Sequence, residues 1–348
     1  MAEEKEEKKQ ESKSSKKASP KGVGIDLGTM NIIASRKNTK GNVQTKRIRD
    51  AFLDLEPDAK KMLKMSGVSY VEYDDRILIL GDPALEMANL FKREARRPLQ
   101  GGLISSNEID ALEVLSILIE NVIGDPQEGG EICYYSIPAK PLGVDSDVTY
   151  HEAVFKRIIE ELGYTAIPGN EAMAIVYSEC AQDGFSGIAV SYGAGMANIA
   201  LSYMTMPIMQ FSIQNSGDWV DQQAAKAVGS TASRMCSIKE KGLDLMNPEG
   251  REQEAIVVYY RSLIDRTITK IAEEFKKTQS DTELKSAIPI VVSGGTSLAE
   301  GFLDLFKEEF ERRREKFPIE VSEIRHAQDP MNAVSQGLLV QAQAEYSD

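Results

Sequence analysis

Three glycine turns, each directly after an apolar run, carry the clearest chemistry in this sequence. They lie at Gly28 in VGIDLGTMNIIA, at Gly193 and Gly195 in IAVSYGAGMANIALS, and at Gly294 and Gly295 in AIPIVVSGGTSLAEGF. Glycine permits positive φ angles and lets backbone N–H groups come close to a phosphate. Two facing strand–turn–strand units could therefore hold a polyphosphate from both sides, and the third turn, which opens a helix, could contact a base or its phosphates.

Two carboxylates and one hydroxyl accompany these turns. Asp26 ends its strand just before Gly28, where it could hold a Mg²⁺ ion through water or could stabilise the turn. Glu171 is predicted to begin a helix behind the N-cap Asn170, where it could be a structural residue stabilised by the helix dipole or could polarise a water toward a phosphate. In the second unit, Ser191 takes the place that Asp26 has in the first.

The elements that position these residues are predicted from periodicity. Apolar, strand-like runs alternate with amphipathic segments along most of the chain, which indicates an α/β fold. One of the helices is predicted to begin with a capping box at Ser105 and Glu108 and to end at Gly124. The sequence has no G-x-x-x-x-G-K-[ST] motif, and GVGIDLG is not a G-x-G-x-x-G motif, so this is not a P-loop protein.

The composition narrows the function further. A chain of 348 residues can form two domains. No apolar run approaches the ~18 residues of a membrane span, so we expect a cytoplasmic protein without direct membrane insertion. Three scattered cysteines and two histidines argue against a disulfide framework and a zinc site. The formal charge of −13 disfavours nucleic-acid partners, and residues 1–20 are predicted to be a disordered charged tail.

Six segments, in chain order, resemble the nucleotide signature of the superfamily of actin, heat-shock ATPases and sugar kinases. They are GIDLGTMN, NEAMAIVYSE, SYGAGMAN, GDWVDQQ, SIKEKG and VVSGGTSLAEGF. Within that superfamily, GDPALEMANLFKREARRPLQGGLI and DPMNAVSQGLL are similar to the bacterial actins MreB and MamK. The resemblance covers nearly everything after residue 21.

The resemblance implies an α/β, two-domain actin-like ATPase fold, with a duplicated mixed β-sheet core flanked by helices and a nucleotide cleft between the domains. Domain I would comprise residues 21–165 and 325–348, with a small inserted subdomain at about 38–95. Domain II would comprise residues 166–324. Its outer part, about 217–260, would be reduced to helices, because the sequence leaves no room there for the small β-sheet of the family.

The implied ligands are ATP or ADP, with GTP left open, together with Mg²⁺. Asp26 and Glu171 would be the catalytic residues, and Asp26 would also be the metal residue. The implied nucleotide contacts fall in the three turns and in the segments GDWVDQQ and SIKEKG, and Lys239 and Glu240 would lie beside the ribose and base. They are Gly28, Thr29, Met30, Asn31, Ser191, Gly193, Ala194, Gly195, Met196, Gly217, Asp218, Lys239, Glu240, Gly294, Gly295, Thr296 and Ser297.

Two residues depart from the family pattern. Ser191 stands where the family has an aspartate that helps to manage the magnesium ion, so ATP hydrolysis is expected to be slow. Ala172 stands where a proline usually follows the catalytic glutamate.

The implied function is an ATP-binding, filament-forming cytoskeletal protein that organises or positions a cellular structure, through self-association and through cargo or adaptor proteins. The alternative is a non-polymerising actin-fold ATPase or chaperone-like regulator. A small-molecule kinase would need a further carboxylate base, which no motif designates. The cargo, the polarity of a filament and the preferred nucleotide are left open.

Overall fold

Two five-stranded sheets of the same strand order form the centre of the protein. The computed structural model describes residues 21–143, 148–278 and 284–347, and the predicted disordered tail, residues 1–20, lies outside these. The first sheet consists, in spatial order, of β3 (Val43–Arg49), β2 (Asn31–Lys37), β1 (Val23–Leu27), β9 (Ile132–Ile137) and β10 (Thr165–Asn170). The strands β1 to β3 are antiparallel neighbours, and β9 and β10 run parallel to β1.

The second sheet repeats this plan. It consists, in spatial order, of β13 (Met206–Gln214), β12 (Met196–Tyr203), β11 (Gly187–Tyr192), β14 (Ile288–Ser293) and β15 (Val321–His326). Again the first three strands in the chain are antiparallel, and the last two run parallel to the first of them. The predicted duplicated mixed-sheet core is therefore confirmed.

Helices cover the first sheet through a buried apolar core. The helices α3 (Ala111–Ile123) and α4 (Thr149–Glu161) contribute Leu115, Ile119 and Phe155 to this core. The predicted capping box is wrong: α3 begins at Ala111 behind Asp110, and the Glu108 carboxylate instead accepts hydrogen bonds from Arg96. The Glu108 side chain, which the local pattern assigned to the helix cap, therefore binds Arg96 instead.

A small subdomain is inserted after β3. It has a three-stranded sheet and two helices around its own core, namely β4 (Phe52–Leu55), α1 (Lys60–Ser66), β5 (Val71–Tyr73), β6 (Arg76–Leu80) and α2 (Asp82–Phe91). The hairpin of β7 (Leu99–Gln100) and β8 (Leu103–Ile104) follows. The predicted insertion began at residue 38, but residues 43–49 form β3 of the first sheet, because the strand continues the antiparallel ladder from β2.

The outer part of the second half is helical. From residue 215 to residue 278 the chain forms three helices and no β-strand, namely α6 (Gly217–Val228), α7 (Ala232–Glu240) and α8 (Gly250–Thr278). These helices and α9 (Phe302–Glu311) pack on the second sheet. In the ranges that the structure describes, no helix is long and apolar enough to cross a membrane.

Two helices connect the sheets, namely α5 (Glu171–Glu179) and α10 (Ala333–Ala344). The chain leaves β10 of the first sheet through α5 to reach the second, and α10, the last helix, follows β15 of the second sheet and packs against β1 of the first. The first sheet therefore ends at residue 170, where the predicted domain boundary was 165, and the second sheet ends at residue 326, where the predicted boundary was 325.

The contact between these two helices is close. A Cβ atom on Gly337 of α10 would lie 1.8 Å from the carbonyl oxygen of Ala174 of α5. On its other side α10 lies against β1, where a Cβ on Gly24 would come within 2.2 Å of the Ser335 carbonyl oxygen. Only glycine fits at these two positions, because backbone atoms on both sides leave no room for a methyl group.

We expect Gly337→Ala to destabilise the protein. This would occur although alanine favours a helix over glycine by about 1 kcal/mol. The clash is with backbone, so the helices must separate, and overpacking of this kind costs about 1–3 kcal/mol or more. Thermal and urea unfolding of the two proteins would measure the difference. Gly129→Ala is the control, because nothing lies within 4 Å of a Cβ at that position. Equal stability of Gly337→Ala and the wild type would contradict the close contact.

Candidate functional site

A cavity of about 560 Å³ lies between the two sheets and brings most of the predicted site residues together. This volume is within the range of about 300–1,000 Å³ that small-molecule sites have. The predicted residues that line it are Asp26, Gly28, Thr29, Met30, Asn31, Glu171, Ser191, Gly193, Ala194, Gly217, Asp218, Lys239, Glu240, Gly294, Gly295 and Thr296. Gly195, Met196 and Ser297 were predicted with them but do not line the cavity.

The first two glycine turns have the same local hydrogen bond. The N–H of Gly28 donates to the Asn31 carbonyl oxygen at 3.1 Å, and the N–H of Gly193 donates to the Met196 carbonyl oxygen at 3.0 Å. Both turns follow the central strand of their sheet and reach the cavity from opposite sides. The backbone of both turns therefore lines the same cavity.

Gly195 faces the other way, toward the β7–β8 turn. A Cβ on Gly195 would lie 2.2 Å from the Gly102 nitrogen and 2.6 Å from the Thr29 hydroxyl oxygen. The N–H of Gly102 donates to that hydroxyl at 3.0 Å, and a Cβ on Gly102 would in turn meet the Met196 side chain at 2.5 Å. Gly195 and Met196 therefore hold the two hairpins together through the β7–β8 turn, outside the cavity wall.

The third glycine turn is fixed to the second. Gly294 has a φ of +92°, and a Cβ there would lie 2.4 Å from the Tyr192 carbonyl oxygen. The Thr296 hydroxyl donates to the Gly193 carbonyl oxygen at 2.9 Å. The Ser297 hydroxyl is buried and donates to the Gly294 carbonyl oxygen at 2.7 Å. Ser297 thus stabilises the turn from inside and leaves the cavity surface to Gly294, Gly295 and Thr296.

Asp26 and Glu171 form a partly buried acidic pair at the cavity wall. The Ser136 hydroxyl donates to Asp26 Oδ1 at 3.0 Å. Burial raises the pKa of the Asp26 carboxyl, and burial together with the negative charge of Asp26 raises the pKa of the Glu171 carboxyl. Two carboxylates this close favour a cation or a proton between them. Hard oxygen donors of this kind are those that Mg²⁺ prefers, so the residues present fit that ion.

Two donors from neighbouring strands hold the Glu171 carboxylate. The Ser191 hydroxyl donates to Oε1 and the Asn198 amide donates to Oε2, both at 2.8 Å. Ser191 and Asn198 are paired across β11 and β12 and are almost fully buried. Glu171 itself begins α5, whose N-cap is the predicted Asn170: its side chain accepts from the Met173 N–H. The residue that replaces the family's aspartate therefore positions the glutamate.

Sequence reasoning missed Asn198, because nothing in the strand pattern separates it from an ordinary polar residue. It also missed Tyr260, which lines the cavity and whose hydroxyl donates to the Thr296 carbonyl oxygen at 3.1 Å. Two arginines of β3, Arg47 and Arg49, line the cavity as well. Alternation along a strand could have indicated that Arg47 and Arg49 share a face, but not which face meets the cavity.

Asp218 of α6 and Lys239 of α7 are engaged in ion pairs. The Lys239 ammonium is 2.9 Å from the Asp221 carboxylate and donates to the Gly217 carbonyl oxygen at 3.0 Å. The Asp218 carboxylate accepts from Arg97 at 3.1 Å. Lys239 and Asp218 line the cavity with their charges already partly compensated by these partners.

The two-sheet duplication, the crossing helices and the facing glycine turns around one cleft define the class of actin-like two-domain ATPase folds. The chain belongs to the Volactin family, whose sequence profile matches residues 22–342. No curated protein sequence matches the chain.

Solved structures share the fold at low sequence identity. A MamK double helical filament is 19% identical with a TM-score of 0.69, over 92% of this chain and 98% of that one. MreB5 of Spiroplasma citri bound to AMPPNP is 16% identical with a TM-score of 0.63, over 94% and 97%. The ethanolamine utilization protein EutJ from Carboxydothermus hydrogenoformans is 17% identical with a TM-score of 0.56, over 93% and 91%. These likenesses confirm the predicted fold class and the similarity to MreB and MamK.

Asp50 is a buried carboxyl behind the first turn. Its N–H donates to the Met30 carbonyl oxygen, and its Oδ2 accepts from the Leu99 N–H, both at 3.0 Å. Its Oδ1 is buried without a hydrogen-bond partner. Burial raises the pKa of Asp50 to about 8. Asp50 therefore connects the first turn to the β7–β8 hairpin with a carboxyl group that burial holds in its neutral form.

This predicts a pH dependence of stability. Because the folded-state pKa of Asp50 exceeds the unfolded value of about 3.9, the folded protein keeps a proton that the unfolded chain releases between these values. The free energy of unfolding should then fall as pH rises, by up to ~1.4 kcal/mol per pH unit from this one group. We expect the free energy of unfolding, measured with urea between pH 5 and 8, to fall less steeply with rising pH for Asp50→Asn than for the wild type. Identical slopes would contradict a neutral buried Asp50.

Proposed function

We propose that the chain binds an adenine nucleotide with Mg²⁺ in this cavity and assembles into actin-like filaments. The observation that carries the proposal is the pair of glycine turns, at Gly28 and at Gly193, that reach one cavity from two sheets of the same strand order beside a partly buried acidic pair. Backbone N–H groups of such turns are suited to phosphate oxygens because they offer donors without a side chain in the way.

The parts of the cavity suit different parts of a nucleotide. The first two turns would hold the phosphates, with the Thr29 hydroxyl beside them. The Gly294–Thr296 turn, together with the apolar side chains of Leu298 and Met331, would take the adenosine. Lys239 and Glu240 line the same cavity and would lie beside the ribose and base. Parallel calorimetric titrations of the wild type with ATP and with GTP would measure which nucleotide it prefers.

Asp26 would hold the Mg²⁺ ion through its water shell, and the ion would neutralise phosphate charge when bound. Glu171 would orient a water molecule as a hydrogen-bond acceptor, since Ser191 and Asn198 keep its carboxylate in place. Because Ser191 brings no charge of its own, we propose that hydrolysis is slow.

Self-association is supported by the fold, which the chain shares with a MamK double helical filament. The filament would organise or position a cellular structure in the cytoplasm, with cargo or adaptor proteins as partners. The helical outer part of the second half, α6 to α8, distinguishes the surface available for such contacts from that of relatives with a β-sheet there.

We expect Asp26→Asn to weaken Mg²⁺-dependent ATP binding by about tenfold or more, because outer-shell partners of a metal contribute on this scale. Calorimetric titration with and without Mg²⁺ would measure it. Asp58→Asn is the matched control, since Asp58 is an exposed aspartate far from the cavity. A Mg²⁺ dependence that Asp26→Asn leaves intact would remove Asp26 from the site.

Polymerisation is tested by high-speed sedimentation and negative-stain electron microscopy of the purified protein with Mg·ATP and without nucleotide. We expect sedimenting filaments with Mg·ATP. A protein that binds nucleotide but stays monomeric over a wide concentration range would instead support the non-polymerising ATPase or regulator.

A further inference from the structure

One arginine joins the two halves of the molecule at the edge of the cavity. Arg49, the last residue of β3, donates from Nη1 to Glu240 Oε1 at 2.9 Å and from Nε to Asp82 Oδ1 at 3.2 Å. Glu240 ends α7 in the second half, and Asp82 begins α2 in the inserted subdomain. The three residues thus come from three separate parts of the fold.

The ion pairs of Arg49 with Glu240 and Asp82 lie at the edge of the cavity. Arg49 and Glu240 both line the cavity wall, from opposite sides. The Arg49 side chain is 15% exposed, whereas those of Glu240 and Asp82 are 48% and 61% exposed. The Arg49 guanidinium is therefore largely buried, whereas the carboxylates of Glu240 and Asp82 are exposed to solvent. A ligand in the cavity lies behind a charged link that connects one half to the other.

The side-chain chemistry suits a link between moving parts. The planar guanidinium offers donors along two edges, so Arg49 can bind two carboxylates at once. Arg157 of α4 is the matched control, because it pairs with Glu161 on the same helix and does not line the cavity.

We propose that Asp82, Arg49 and Glu240 form a clamp across the cleft that slows the release of a bound ligand and couples the cavity to the position of the inserted subdomain. The ligand is taken to be a nucleotide, so this step rests on the proposed function. Release requires the two halves to separate at the cavity edge, and separation breaks the contact between Arg49 and Glu240. A second ion pair between the halves, Arg97 with Asp218, remains when Arg49 is changed, so the variant keeps a connection.

The first test is the release rate of a fluorescent ADP analogue, displaced by excess unlabelled ADP in a stopped-flow instrument. We expect Arg49→Ala to release it about threefold to tenfold faster than the wild type, the scale of a partly buried ion pair. Arg157→Ala should stay within about twofold, because Arg157 does not line the cavity. Added salt should speed release from the wild type and have less effect on Arg49→Ala, since ions screen the pair.

The second test needs no nucleotide. Thermal unfolding of the ligand-free wild type, Arg49→Ala, Glu240→Gln and the double variant forms a double-mutant cycle. If the pair interacts, the sum of the two single losses of stability should exceed the loss in the double variant. Independent, additive effects would overturn the clamp. Equal release from Arg49→Ala and Arg157→Ala would also overturn it, while the proposed nucleotide binding would stand. A wild type that fails to bind the analogue in an equilibrium titration overturns the proposed function, and with it the clamp on a nucleotide.

Discussion

The close crossing of α5 and α10 is the contact on which the rest of the structure depends. The helix α5 connects the first sheet to the second, α10 follows the second sheet and packs on the first, and the two touch at Gly337, where the Ala174 carbonyl leaves no room for a side chain. On its far side α10 lies against Gly24 of β1. Both helices are buried here among apolar side chains of both halves, so this crossing holds the halves together.

The helix crossing also determines where the Glu171 carboxylate lies in the cavity. Glu171 is the first residue of α5, so its carboxylate reaches the cavity at the point where the chain passes from one half to the other. Ser191 and Asn198 of the second sheet hold it, whereas Asp26 approaches from the first sheet. Around this acidic pair, glycine contacts such as Gly195 against Gly102 fix the distance between the hairpins. A change in the angle between the halves would therefore alter the acidic pair and the cleft edge together.

Local signals in the sequence were sufficient to predict the duplicated sheets, the three turns and the N-cap Asn170, because the conformations of glycine turns and apolar strands depend on neighbouring residues. Contacts between distant segments were not predictable in this way. Ser191 was interpreted as a weakened metal residue, but its hydroxyl donates to Glu171, twenty residues away. Asp218 pairs with Arg97, 121 residues away, and Gly195 serves packing between hairpins, which a turn motif cannot distinguish from contact with a phosphate.

The most direct measurement is an experimental structure of the protein with Mg²⁺ and a non-hydrolysable ATP analogue. We expect the phosphates to lie between the turns at Gly28 and Gly193, with the metal on the side of Asp26 and the base against Gly294 and Gly295. An analogue bound outside the cavity between the two sheets, or a cavity that stays empty at saturating analogue, would contradict a nucleotide site formed by the duplicated glycine turns.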